Sequence, residues 1–257
     1  MLKGLYTAYS GMLNEQNRMD VLTNNLANSA TIGFKKEGST SQSFKDVLAY
    51  KIKDTSENPN IGRSIGYNTP GVKIGENYTD YSQGAFKETE NSLDLALSGS
   101  GFFEIEFTNK AGETSTKYTR DGSFTMNEQG DLVTKDGDFV LGTNGKIRLN
   151  PLLETSITQS GNVVQNGVTV ATLQITDFED ADYLEHYGEN MYQTVEGATE
   201  VDSTAKVFSG YLETSNVQVV SEMVQMIAVT RAYESNQKLI QAYDTTLDTT
   251  VNTLGRL

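Results

Sequence analysis

A chain of 257 residues with 37% hydrophobic side chains carries 34 acidic against 20 basic residues, a formal net charge of −14. That excess argues against a nucleic-acid partner, whose phosphates require a basic face. The absence of cysteine removes disulfides and thiolate metal sites, and no apolar run is long enough for membrane insertion.

The first predicted element is a helix over about Leu2–Asn28. Leu5, Met12, Met19 and Leu26 stand seven apart, flanked by Leu2, Tyr9, Leu13 and Leu22, which draws an amphipathic stripe. Asn24, Asn25, Asn28 and Ser29 then compete for backbone hydrogen bonds, and Gly33 breaks the run. The polar residues Asn14–Arg18 interrupt the apolar stretch that a cleavable signal needs, so none is expected. Lys35–Pro70 is polar and turn-prone, an extended arm with a short helix around Phe44–Ile52.

From Val72 the period changes to two. Leu93–Leu97 and Phe103–Phe107 alternate as half-buried strands do. Tyr118–Met126 fits a hairpin with Asp121-Gly122 as a type I′ turn. Asp136-Gly137, Asn144-Gly145 and Asn166-Gly167 mark further tight turns, and Val168–Phe178 is expected as one long alternating strand. Val72–Phe208 therefore predicts an antiparallel β domain. Its most acidic part runs from Asp177 to Asp202 without Lys or Arg, lacks the ligand spacing of a calcium loop, and fits a solvated outer face.

The last predicted element is a second long helix, Ser215–Leu254. Val219, Met226, Tyr233, Ile240, Leu247 and Leu254 again stand seven apart, while the row Val229, Asn236, Tyr243 and Thr250 is half polar. Ser215 with Gln218 fits a capping box. Five threonines between Thr245 and Thr253 make the second half a weak helix on its own. The two chain ends thus carry apolar seams of matching period. They suit either an internal hairpin or an interface between copies, and asparagines beside a seam favour the second, because a buried amide fixes register.

Catalytic patterns lack their context. Gly62-Arg63-Ser64-Ile65-Gly66 matches a nucleophile elbow, with the single histidine, His186, downstream. Turn residues surround it where a strand and a helix are needed. Gly99-Ser100-Gly101 lacks the third glycine of a dinucleotide loop and precedes a strand. Glu104 and Glu106 share a strand face as glycosidase acids could, which alternation on an exposed face also produces. No catalytic, cofactor or metal residues are assigned.

Several longer motifs carry a family resemblance. Thr23-Asn24-Asn25-Leu26-Ala27-Asn28 with Gly33-Phe34-Lys35 resembles the N-terminal signature of flagellar rod and hook proteins, with Ser29-Ala30-Thr31-Ile32 where that family's wording is closer to Val-Asn-Thr-Thr. Gly210–Val217, Glu222–Ile227 and Arg231–Glu234 are similar to the same family's C-terminal signature. Leu93–Ala96, Gly99–Phe103 and Tyr118–Phe124 extend the likeness into the insert, and it thins from Lys146 to Val201.

The resemblance implies a self-assembling structural subunit of the basal-body rod, of distal or proximal type, with no enzymatic role. A hook or other axial protein, or a secreted carbohydrate-binding β domain with helical tails, is the alternative. The expected fold is mixed α and β: long N- and C-terminal helices forming a coiled-coil-like pair, with an inserted antiparallel all-β domain. Its expected parts are an N-terminal assembly helix (1–33), an arm (34–71), the β domain (72–208) and a C-terminal assembly helix (209–257). The expected assembly interface is Leu5, Met12, Met19, Asn24, Asn25, Leu26, Asn28, Val219, Met226, Tyr233, Ile240, Leu247 and Leu254. Partners implied are further copies in a helical tube, other rod subunits, hook proteins and rings around the rod. Export would pass through the flagellar type III apparatus without a cleaved signal.

Overall fold

The computed structural model describes residues 2–51, 63–110, 112–188 and 190–254. The chain divides into two compact units. One gathers Met1–Leu26, Glu37–Thr79 and Val219–Leu257; the other gathers Ala27–Lys36 and Asp80–Gln218.

The first unit opens with helix α1 (Leu2–Ala27), at the position its apolar period predicts. Then come β1 (Lys36–Ser43), β2 (Val47–Lys51), β3 (Arg63–Asn68) and β4 (Val72–Asp80). β1 pairs with β4, and β2 pairs antiparallel with β3, Leu48 opposite Tyr67. The helix expected around Phe44–Ile52 is instead strand β2 as far as Lys51; Ile52 lies outside the described residues. A segment this short cannot offset the cost of helix nucleation, whereas a facing strand meets its backbone groups across the pair. β4, expected to open the β domain, pairs with β1 inside this unit. Helix α2 (Val219–Thr249) follows the β-rich insert and ends in a π-helical turn, Thr250–Leu254.

The second unit holds short strands in chain order: β5 (Phe86–Glu88), β6 (Leu95–Ser98), β7 (Phe102–Thr108), β8 (Thr114–Thr119), β9 (Thr125–Met126), β10 (Leu132–Val133), β11 (Phe139–Gly142) and β12 (Gly145–Lys146). β13 (Thr155–Ile157), β14 (Asn162–Gln165), β15 (Val168–Thr172), β16 (Ile175–Phe178), β17 (Leu184–Tyr187), β18 (Met191–Thr194), β19 (Glu200–Asp202), β20 (Lys206–Ser209) and β21 (Tyr211–Glu213) complete it. The main sheet runs β17-β18-β8-β7-β11-β10-β9, with β16 also on β7. β13-β14-β15 form a second sheet, and β6–β20 and β5–β21 pair separately. These pairings are antiparallel.

Leu95, Leu97, Phe103, Ile105, Phe124, Leu132, Val140, Ile147, Val163 and Val207 fill one apolar core. Phe102, Tyr118, Phe178, Leu184 and Tyr192 fill a smaller aromatic one. Each fully buried large side chain contributes about 1.5–3 kcal/mol by leaving water.

Three local expectations change. Leu95, Ala96 and Leu97 are all buried, so this strand is covered on both faces instead of alternating. Asp121-Gly122 is no hairpin turn: β8 pairs with β7 and β18, β9 with β10. Asp121 instead accepts from the Ser123 amide and hydroxyl, and the Gly122 carbonyl accepts from the Leu95 amide. The long strand expected over Val168–Phe178 breaks at Leu173-Gln174, where the two amides donate to Gly161 and Leu141 and Leu173 enters the core. The Asn166-Gly167 turn does join β14 to β15, with both residues at positive φ (51° and 79°) as type I′ requires.

Candidate assembly surface

Among the described side chains of α1 the buried ones are Ala8, Asn14, Val21, Leu22 and Asn25. Two of the five are amides, and each has a strand to answer it. Asn25 Nδ2 donates to the Glu37 carbonyl at 2.7 Å, and its Oδ1 accepts from the Glu37 amide at 2.9 Å. One side chain thus mimics a strand neighbour for β1. Asn14 accepts from the Ser41 hydroxyl at 3.0 Å, and the Thr7 hydroxyl donates to the Pro70 carbonyl at 2.9 Å. α1 is therefore held to β1, and through Thr7 to the Pro70 carbonyl, by polar contacts that set register.

The same helix meets α2 through its glycines. A Cβ at Gly4 would fall 2.8 Å from Tyr243 Cζ, and one at Gly11 would fall 3.1 Å from Asn236 Nδ2. As one position rises by seven the other falls by seven, so the helices run antiparallel where they touch. On α2 the deepest residues are Glu222 and Val229, at 0% and 2% exposure. With Asn236 and Tyr243 they form the half-polar row, three positions on from the apolar heptad stripe.

The stripe residues are placed as follows. Leu5, Met12, Met19, Leu26 and Asn28 on the N-terminal side, and Met226, Tyr233, Ile240 and Leu247 on α2, are half-buried; Asn24 and Val219 are exposed. The Leu254 side chain lies outside the described residues. Ser215 does not cap α2: its hydroxyl accepts from the Val217 amide at 3.2 Å, closing a local turn, and the helix begins at Val219.

Further apolar surface is exposed on both helices; the sequence pattern placed Tyr9 and Leu13 beside the α1 stripe but did not single out Tyr6 or the α2 residues as an exposed face. Val220, Met223, Val224 and Ile227 on α2 are 48–77% exposed, and Tyr6, Tyr9 and Leu13 on α1 are 41–66% exposed. Their spacing by three and four was visible in the sequence but lies off the heptad positions.

The β-rich unit contains a buried ionic cluster. Glu213 Oε1 accepts from Lys35 Nζ at 2.6 Å and from the Gly84 amide at 2.9 Å; Oε2 accepts from Arg120 Nη1 at 3.2 Å. Burial pushes the Lys35 ammonium below its ordinary pKa, against the pull of Glu213, and lowers Arg120 in the same way. Glu104 and Glu106 have separate partners. Glu104 accepts from the Thr176 hydroxyl, its carboxyl raised chiefly by burial, and Glu106 pairs with Lys146 at 2.8 Å. Ser64 lies on β3, inside a strand pair, and not at a strand-to-helix elbow; Gly62 lies outside the described residues.

Three family models match separate parts of the chain. A family model described as "Flagella basal body rod protein" matches residues 5–35. "Flagellar hook protein FlgE/F/G D1 domain" matches 96–178, and "Flagellar basal body rod FlgEFG protein C-terminal" matches 209–254. The flagellar basal-body rod protein FlgG of Bacillus subtilis (strain 168) is 34% identical over 98% of this chain and 99% of its own. FlgG of Caulobacter vibrioides is 34% identical over 97% and 98%. The rod protein FlgF of Rhizobium meliloti is 32% identical over 99% of each. With its helical ends and β-rich insert matched along nearly their whole length, the chain belongs to the flagellar basal-body rod proteins, as a structural subunit.

Proposed function

We propose that this rod subunit polymerises through its terminal helices into a tube that serves as a drive shaft. The observation that carries this is the pair of exposed apolar surfaces on α1 and α2, unusual on helices that already have neighbours within their own unit. The proposed interface comprises these surfaces together with the heptad stripes Leu5, Met12, Met19 and Leu26 on α1 and Val219, Met226, Tyr233, Ile240, Leu247 and Leu254 at the C-terminal end. Asn24, Asn25 and Asn28 set register at the end of α1. The antiparallel contacts at Gly4 and Gly11 support a coiled-coil-like pair as the repeating element.

Axial neighbours would be other rod subunits and hook proteins, with ring proteins around the shaft. Export would proceed without a cleaved signal. The role is mechanical and not catalytic, and Glu104 and Glu106, each engaged with its own partner, support that. Purified protein should form filaments visible by electron microscopy, and labelled subunits should map to the rod of purified basal bodies. Met226→Asp and Leu247→Asp should abolish filaments while leaving the melting of the β-rich unit unchanged. An equal loss of thermal stability in both variants would mean that the seam is internal to each molecule, and the proposal would fail.

A further inference from the structure

Three segments far apart in sequence converge on Glu213. The Glu213 carboxylate takes Lys35 and Arg120, and its backbone carbonyl accepts the Gly33 amide at 2.8 Å. Lys35 Nζ also donates to the Ser82 carbonyl at 2.9 Å, and Arg120 Nη2 to the Gly99 carbonyl at 2.7 Å. Beside them Asn216 accepts from the Lys36 amide at 2.8 Å and donates to the Asp80 and Ser82 carbonyls. The chain therefore enters the β-rich unit from α1 and leaves it towards α2 at one polar knot.

The charges in that knot do not balance. Two cations share one carboxylate, with side chains 1–4% exposed. Asp80 and Asp177 act on the cations without hydrogen-bonding either of them. Arg120 differs in kind: its guanidinium is weakly hydrated and lies 5.3 Å from the Phe102 ring, and it holds two acceptors through Nη1 and Nη2 although its buried Nε has no hydrogen-bond partner among the described residues. Lys35 gives up a compact, strongly hydrated charge for two oxygens. If the Lys35 arm leaves, a balanced Arg120–Glu213 pair remains. Phe34, the preceding residue, is 1% exposed and anchors the segment by apolar burial.

We propose that Gly33–Lys36 is a strap that undocks from the β-rich unit on its own. Glu213 is its positioning residue, and the Arg120–Glu213 pair holds the C-terminal crossing in place. The strap gives the N-terminal crossing local freedom while the other crossing stays fixed. This stands independently of polymerisation.

Native-state hydrogen exchange on the full chain at neutral pH tests it. The Gly33 and Lys36 amides should show protection at least tenfold below that of Thr214, whose amide bonds the Ala85 carbonyl at 2.8 Å in the C-terminal crossing. Lys35→Met should raise strap protection at least threefold, because it removes the surplus buried charge and keeps an apolar stem. Glu213→Gln should lower protection at all three amides. A common protection factor at Gly33, Lys36 and Thr214 in the natural chain would overturn the proposal. So would faster strap exchange in Lys35→Met. If Glu213→Gln does not fold, the comparison of the natural chain with Lys35→Met decides alone.

Discussion

Gly33 stands at φ +69°, with backbone packed where a side chain would begin. A Cβ there would fall 2.5 Å from the Arg120 carbonyl carbon and 2.6 Å from the Asp121 nitrogen. Neither obstacle can swing away as a side chain could, and the left-handed conformation adds strain for any other residue. Gly33→Ala should therefore cost the β-rich unit roughly 2–4 kcal/mol, read as a lower urea midpoint. Gly137, at φ +95° with open space around it, should lose only about 1 kcal/mol on the same change. Gly33 is visible in the sequence as a helix breaker, but its tight neighbours are not. Lys35 was legible as the end of a family motif and the start of a polar arm, and not as a buried charge, because an isolated lysine is ordinarily solvated. Its carboxylate lies 178 positions away, and no local pattern reports a partner at that distance.

At the level of elements, the helices were legible as helices, while their faces were not. A seven-residue apolar repeat drifts by about 20° per heptad around a straight helix. The surface buried within one molecule mixes Val21, Leu22 and Val229 with small and polar residues, Ala8, Asn14 and Asn25 on α1 and Glu222 on α2, and the α1–α2 approach runs along half-buried Gly4, Gly11, Asn236 and Tyr243. A search for hydrophobic period passes over the small and polar ones. The last turns of α2 have a similar explanation. The Thr246, Thr249 and Thr250 hydroxyls donate back to the carbonyls of Ala242, Thr245 and Thr246 at 2.7–2.8 Å, which satisfies them locally and loosens the helix towards its π turn. Val224 and Ile227, 62% and 54% exposed, meet no such internal demand. Val224→Asp and Ile227→Asp should change unfolding free energy by less than about 0.5 kcal/mol. Both should raise the protein concentration needed for filaments at least tenfold, measured by sedimentation. A matching loss of monomer stability would mean that the two side chains already pack inside the subunit.

Over the whole molecule the charge is divided very unequally. The helical unit, Met1–Leu26 with Glu37–Thr79 and Val219–Leu257, has 10 basic and 11 acidic residues; the β-rich unit has 10 and 23. Nearly all of the net −14 therefore belongs to the β-rich unit, and the segments that carry the apolar stripes are close to neutral. Bringing copies together would concentrate like charge on the β-rich units, a repulsion that works against the apolar contacts and weakens as salt shortens the screening length from about 10 Å at 0.1 M to about 3 Å at 1 M. Filament formation should accordingly require less protein as sodium chloride rises from about 0.1 to 1 M. Apolar contacts alone also strengthen somewhat with salt, so the decisive measurement uses a charge variant. Glu179, Glu196 and Asp202 are exposed. The triple change Glu179→Gln, Glu196→Gln, Asp202→Asn should lower the critical concentration at low salt and flatten its salt dependence. A variant with the natural protein's full salt slope would place these acids away from neighbouring copies and leave the apolar surfaces as the source of that slope.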